Sequence, residues 1–125
     1  MSFKIIYRNK ISKKNLQNLI LFVDEKFNIS NIKKHIPSSD FVLISDLLKA
    51  RDEKKKILAF DISSKKKIIL VSLKKNISNS DVENLGASFY DQFKNNKTND
   101  FILSSDTLSV KQKTIAAFFA HGVKL

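Results

Sequence analysis

The 125-residue sequence contains no cysteine, no tryptophan, a single proline and only two glycines. Without cysteine the chain cannot form a disulfide framework or a thiolate zinc site, although this absence leaves the redox compartment undetermined. Gly86 and Gly122 both fall in helical patterns, where close packing explains a glycine, so no glycine-rich turn is available to cradle a phosphate group. No apolar run approaches the ~18 residues that a membrane span needs, and the segment "MSFKIIYRNK" is unlike a signal peptide. We therefore expect a cytoplasmic protein that does not enter a membrane.

Arginine is also scarce, and this affects how the strong positive charge is interpreted. The formal net charge is +11 at pH 7, yet only two of the 23 basic residues are arginine. Nucleic-acid binding is one explanation of such a charge. An AT-rich genome is another, because the codons of lysine, asparagine, isoleucine and phenylalanine are AT-rich. Arginine is the side chain that best makes two-point contacts with phosphate and guanine. Its scarcity favours the second explanation, and any nucleic-acid binding is expected to be weak and sensitive to salt.

Apolar residues are abundant enough for one packed domain over residues 1–125, since they make up 42% of the chain and include ten phenylalanines. The segments "ILAFDIS" and "KIILVSL" predict a β-hairpin, and the second is apolar on both faces, as expected of a central strand. Interleaved strands and helices predict an α/β domain with a mixed sheet. The predicted elements are strands at Phe3–Tyr7, Leu19–Val23, Ile57–Ser63, Lys67–Leu73 and Phe101–Ser105, and helices beginning near Pro37, at Ser80 and from Ser109.

The start of the middle helix is the best marked of these boundaries. Ser80-Asp81-Val82-Glu83 fits the S-x-x-E capping box, in which the Ser80 side chain caps the helix and Glu83 reaches back to it. An apolar stripe at helical spacing follows, formed by Val82, Leu85, Gly86, Phe89 and Phe93. The pattern predicts a helix that packs one face against the sheet.

Side chains with catalytic potential are dispersed along the sequence. His35 and His121 stand outside any HExxH or HxH pattern, and a position on the polar surface or at a helix end explains them. Asp61 lies inside a predicted strand, where we expect it to face solvent. The serines have neither a GxSxG context nor a neighbouring base. Because no catalytic constellation is present, an enzyme in its own right is the weakest of the functional hypotheses.

Two clusters of lysine flank the predicted hairpin. Lys54, Lys55 and Lys56 precede its first strand, and Lys74 and Lys75 follow its second strand. A hairpin would bring all five charges to the same end of the sheet, where they could bind an anion or an acidic partner surface. The alternative is that lysines at strand ends keep a sheet soluble and discourage edge-to-edge pairing.

Three short motifs occur in an order that resembles a known family. Val71-Ser72-Leu73-Lys74-Lys75 matches a strand-end pattern of the form V-G-L-G-K, with Ser72 and Lys74 in place of its glycines. Asn84-Leu85-Gly86-Ala87 matches a helix pattern of the form R-x-A-G-A, and Ala120–Leu125 matches a closing helix of the form A-x-G-x-x-L. In order and spacing, from Phe41 onward, these motifs resemble the N-terminal domain of the leucyl (cytosol) aminopeptidases.

The resemblance implies a three-layer, macro-domain-like α/β fold in which helices flank a mixed sheet, and a structural or regulatory role without catalysis. A C-terminal peptidase domain of the same protein would follow an aromatic linker after Leu125. That domain would hold two divalent metal ions, and this chain would carry no metal or other cofactor. The family forms hexamers mainly through its peptidase domains, so the N-terminal domain alone should be mostly monomeric.

The terminal helix is the expected point of contact between the two domains. Phe118 and Phe119 are adjacent, about 100° apart around a helix, so one sheet face cannot readily cover both rings. The ring left uncovered would contact the peptidase domain in the family that the chain resembles. The alternative hypothesis is a stand-alone basic α/β module that binds nucleic acid or a nucleotide.

Overall fold

A computed structural model of the chain describes residues 4–8, 18–52, 54–63, 66–95, 100–104, 108 and 114–124. These residues contain five strands, three α-helices and one short 3-10 helix at Ser30–Ile32. The strands are β1 (Lys4–Arg8), β2 (Asn18–Asp24), β3 (Ile57–Asp61), β4 (Lys67–Leu73) and β5 (Asp100–Ser104). The α-helices are α1 (Ser38–Leu48), α2 (Asn79–Phe93) and α3 (Thr114–Lys124). None of the helices in this part of the chain is long and apolar enough to cross a membrane.

The strands form one mixed sheet in the order β1-β5-β2-β4-β3. Neighbours are parallel except at the β3 edge, where β3 pairs antiparallel with β4. The predicted hairpin is therefore confirmed, with Ile57 opposite Val71 and Asp61 opposite Lys67. β4 lies between β2 and β3, which confirms that it is an interior strand. Four predicted boundaries lie outside the described residues: the strand ends at Phe3 and Ser105, the hairpin turn at Ser64 and the beginning of the last helix near Ser109.

Alternation along the central strands sends successive apolar side chains to opposite faces of the sheet. On one face Leu19 and Leu21 pack in a cluster with Ile44 and Leu48 of α1. On the other face a second cluster carries the side chains of α2 and α3 together with the remaining strand residues, among them Ile20, Phe22, Val71, Phe89 and Phe119. Helices thus cover both faces, and the predicted α/β architecture with a mixed sheet is confirmed.

Helix α2 begins differently from the expectation. Its N-cap is Ser78, whose backbone is extended and whose hydroxyl accepts a hydrogen bond from the Asp81 N–H at 3.1 Å. The predicted cap at Ser80 is wrong, because Ser80 already lies inside the helix. Glu83, predicted to complete the capping box, instead contacts His121 of α3, with 3.1 Å between Oε2 and Nδ1. Ser78 and Ser80 are both suitable N-cap residues. Because Glu83 contacts His121, it does not form the capping box predicted with Ser80.

An ion pair with little exposure ties α1 to the β3–β4 hairpin. Lys66 Nζ lies 3.6 Å from Asp40 Oδ2, and their side chains are only 9% and 14% exposed. Asp40 is in the first turn of α1, where the helix dipole also favours a negative charge. The Asp40 carboxylate needs this counter-charge, since an uncompensated charge in such a site is costly.

Replacing Lys66 with methionine is expected to lower the free energy of unfolding by about 2 kcal/mol, because Asp40 then loses its counter-charge. The double variant with Asp40→Asn should recover at least half of this loss. The matched control is Lys49→Met, which breaks the exposed pair with Asp46 and should cost less than about 0.5 kcal/mol. Urea denaturation of the wild type, Lys66→Met, Asp40→Asn and the double variant gives the coupling energy, and additive losses would show that the pair contributes nothing.

Candidate functional site

The carboxyl ends of β2 and β4 lie side by side in the middle of the sheet, with Asp24 in register with Leu73. The chain leaves β2 toward the face covered by α1, and it leaves β4 toward the face covered by α2. In open α/β sheets, neighbouring parallel strands whose connections diverge to opposite faces leave a crevice beyond their carboxyl ends. This crevice is the usual position of a ligand in such folds.

A cleft of about 440 Å³ lies at this position. We call it the switch-point cleft. Its apolar lining comes from Phe22, Val23, Ile32, Leu73 and Leu108. Its polar lining comes from Asp24, Glu25, Lys26, Asn28, Asn31, Lys74 and Lys75. The cleft therefore combines an apolar base with charges of both signs, a composition suited to a small organic ion.

The loop after β2 is organised by one carboxylate. Asp24 Oδ1 accepts hydrogen bonds from the backbone N–H of Lys26 at 3.1 Å and of Asn28 at 2.9 Å. Between them Phe27 adopts a left-handed conformation with φ 55°, which is uncommon for a bulky residue, and its side chain is buried. The Arg51 guanidinium lies 5.5 Å from the centre of the Phe27 ring. These contacts hold the backbone of the loop in place while leaving the Lys26 side chain exposed.

The loop after β4 has a second left-handed residue, Asn76, with φ 60°. The turn there is closed by the Ile77 N–H, which donates to the Lys74 carbonyl at 3.3 Å. Asparagine tolerates this conformation better than most residues, and it supplies a turn that a glycine often forms. The buried Ser72 hydroxyl donates to the Asp24 carbonyl at 3.2 Å, so the two strand ends are joined by a side chain as well as by the ladder.

The five lysines singled out in the sequence separate into different surroundings. The hairpin brings Lys56 close to the end of β4, where its carbonyl accepts from the Ser72 N–H at 2.8 Å. Lys56 and Lys74 line a second cleft of about 340 Å³ against α2, and Lys74 and Lys75 line the switch-point cleft. Lys54 and Lys55 are exposed and belong to the lining of neither cleft.

Lys26 belongs to the switch-point cleft but was not among the predicted site residues. The available signal was its position two residues beyond the end of a buried strand, at the edge where parallel strands present their loops. That signal becomes useful only when β2 and β4 are known to be neighbours, because the two lysine groups are far apart in sequence.

The two phenylalanines of the terminal helix have different surroundings. Phe119 is fully buried, and its ring meets the Phe22 ring edge-on with 5.4 Å between centroids. Phe118 is half-buried and packs against the same cluster from its margin. Of the two rings predicted to compete for the sheet, Phe118 therefore keeps the larger exposed surface. Larger exposed apolar side chains occur on the outer face of α1, at Val42, Leu43 and Leu47.

The titratable residues considered for catalysis stay apart. His35 is in the turn before α1, on one side of the sheet, and His121 is on α3, on the other. Asp61 is exposed, as predicted, and pairs with Lys67 of the neighbouring strand. Over the ranges that the structure describes, no group of three or more histidine, cysteine or carboxylate side chains is placed to hold a metal ion.

Gly86 and Gly122 lie where α2 and α3 cross. A Cβ built on Gly86 would be 2.2 Å from the Phe119 carbonyl oxygen, and one built on Gly122 would be 2.0 Å from the Glu83 carbonyl oxygen. Both obstacles are backbone atoms, so the two helices approach as closely as they do only because neither residue has a side chain. Close packing, the expectation for both glycines, is confirmed.

Comparison with known proteins identifies no family for this chain. No protein-family model matches this sequence, and no curated protein or solved structure is significantly similar to it.

Proposed function

We propose that this chain is a macro-like, non-catalytic N-terminal domain of a leucyl aminopeptidase, with a structural or regulatory role toward a peptidase domain in the same protein. The observation that carries the proposal is the close approach of α2 and α3, in which Gly86 lies against the backbone of Phe119 and Gly122 against the backbone of Glu83. Each glycine is the defining residue of one of the two helix motifs on which the resemblance depends.

This close approach of the two helices supports the resemblance because it gives both motifs one physical cause. A glycine inside a helix costs stability relative to alanine, so a helix motif built on glycine needs a reason such as close approach of another backbone. A Cβ on Gly86 would collide with the backbone of Phe119 on α3, and a Cβ on Gly122 would collide with the backbone of Glu83 on α2. Each motif therefore needs its glycine because the helix that carries the other motif packs against it. Two unrelated chance matches would have no reason to meet in this way.

The proposed role is non-catalytic because the groups that could act on a peptide bond are dispersed. His121 of α3 is engaged with Glu83 of α2, and His35 is on the opposite side of the sheet. The two divalent metal ions of the family would be held by the peptidase domain, and the hexamer would be formed mainly by that domain. Phe118 would lie toward it. We place such an enzyme in the cytoplasm.

The reading frame beyond Leu125 provides the first test. We expect an aromatic linker followed by a metallopeptidase domain, and we expect the full protein to hydrolyse a leucyl amide substrate when manganese or zinc is added. The 125-residue chain alone should show no turnover with either metal, because a two-metal site requires several ligands close together.

His35→Ala and His121→Ala variants serve as the matched controls for the chain alone. Metal-dependent turnover by the chain that either substitution abolishes would contradict the proposal. A reading frame that encodes no peptidase would contradict it independently.

A further inference from the structure

We propose that the switch-point cleft binds a small phosphate-bearing molecule of nucleotide size. Its phosphate group would be held by Lys26, Lys74 and Lys75, and its apolar part would lie against the base of the cleft. This inference does not depend on the proposed aminopeptidase role, because it concerns a site on this chain alone.

The position of the cleft in the fold is the first argument. β2 and β4 are adjacent and parallel, and the chain leaves them toward opposite faces of the sheet. The backbone alone therefore opens a crevice between the two following loops, without any contribution from side chains. A volume of about 440 Å³ is within the range of small-molecule sites in proteins and is large enough for a mononucleotide.

The charges at the cleft favour an anion. Three lysines from two different loops reach it, and all three are exposed, so their ammonium groups remain available. Two carboxylates are also present, but Asp24 Oδ1 already accepts two backbone N–H groups of its own loop. Lysine binds phosphate as a point charge and needs no fixed bidentate geometry. The scarcity of arginine in this chain is therefore compatible with such a site.

The remaining groups suit the rest of a nucleotide. Val23 and Leu108, each 8% exposed, provide the apolar base against which a ring can lie. Among the polar lining residues, Glu25 can accept hydrogen bonds from sugar hydroxyls, and Asn31 can accept or donate them. The two loops are already ordered by the contacts of Asp24 and Ser72, so little conformational entropy has to be lost on binding.

Adenosine 5′-monophosphate is the probe for the test, with inorganic phosphate and adenosine as its two halves. Titration calorimetry at about 150 mM salt is expected to give a Kd of about 1 mM or below for the nucleotide. Each half alone should bind at least roughly tenfold more weakly, because each makes only part of the contacts. In ¹H–¹⁵N spectra the amides of Lys26 and of residues 73–75 should shift.

Two triple variants with the same loss of charge give the matched comparison. K26Q/K74Q/K75Q removes the three lysines of the cleft and should weaken nucleotide binding at least roughly tenfold. K54Q/K55Q/K56Q removes three lysines from the same end of the hairpin that do not line the cleft, and it should change the Kd less than about twofold. Thermal unfolding of both variants checks that each remains folded.

Three results would overturn the inference. The first is no nucleotide binding at about 10 mM ligand, and the second is equal loss in the two triple variants. The third is equal affinity for the nucleotide and for inorganic phosphate, which would show that the apolar base takes no part. Binding of a long RNA that both triples reduce alike, without nucleotide binding, would replace the site by a general basic surface. None of these outcomes bears on the aminopeptidase hypothesis, whose test is the downstream reading frame.

Discussion

Alanine at Gly86 or at Gly122 is expected to lower the free energy of unfolding by about 3 kcal/mol or more. In most exposed helical positions the same substitution would stabilise a protein, by about 1 kcal/mol. The sign is reversed here because the new methyl group would lie 2.2 Å or 2.0 Å from a carbonyl oxygen of the facing helix. A backbone carbonyl oxygen cannot relieve the clash by a change of rotamer, as a side chain can. Relief therefore requires α2 and α3 to separate, which would open the core around Phe89 and Phe119.

Urea denaturation of the two alanine variants measures this effect, with Gln92→Ala as the control. Gln92 is exposed on α2, so alanine there should change the free energy of unfolding by no more than about 0.5 kcal/mol. The double variant Gly86→Ala/Gly122→Ala should cost less than the sum of the two single variants, because the first separation of the helices also makes room for the second methyl group. A stabilising effect at either glycine would show that the helices do not cross at these residues.

Local patterns in the sequence were sufficient for the elements but not for their arrangement. The hairpin could be predicted because its strands are neighbours in sequence and their apolar character is unambiguous. The insertion of β5 between β1 and β2 could not, since it depends on pairing between residues such as Ile102 and Leu19 that no local pattern links. The helix cap is predicted at Ser80, but Ser78 is also a serine, and in the structure the Ser78 hydroxyl accepts from the Asp81 N–H while Glu83 contacts α3.

The candidate site shows the same limit. The sequence predicts that Lys74 and Lys75, which follow one strand of the hairpin, lie at the same end of the sheet as Lys54, Lys55 and Lys56, which precede the other. The lysines that line the switch-point cleft are instead Lys74, Lys75 and Lys26, which follow the neighbouring parallel strands β4 and β2. The adjacency of β2 and β4 follows from the strand order of the sheet. Local sequence patterns do not reveal this order, so they do not distinguish Lys26 from the other 20 lysines.

The two phenylalanines of α3 are expected to differ strongly in their contribution to stability. Phe119→Ala should lower the free energy of unfolding by about 3–5 kcal/mol, because the ring is fully buried and meets both Phe22 and Phe89. Phe118→Ala should cost less than about 1.5 kcal/mol, since Phe118 is only half-buried at the margin of the same cluster. Both substitutions replace phenylalanine with alanine in the same helix, so the change in helix propensity is the same. The difference between the two losses of unfolding free energy therefore reflects burial.

Urea denaturation again provides the measurement, and Phe119→Leu keeps it informative if Phe119→Ala does not fold. Leucine retains much of the buried volume and should cost about 1–2 kcal/mol. The asymmetry also decides which ring is free to contact another domain. Phe119 cannot leave the core without unfolding it, whereas Phe118 can bind a partner at little cost to the fold. Equal losses for Phe118→Ala and Phe119→Ala would mean that both rings belong to the core, and it would remove α3 as the surface that meets the proposed peptidase domain.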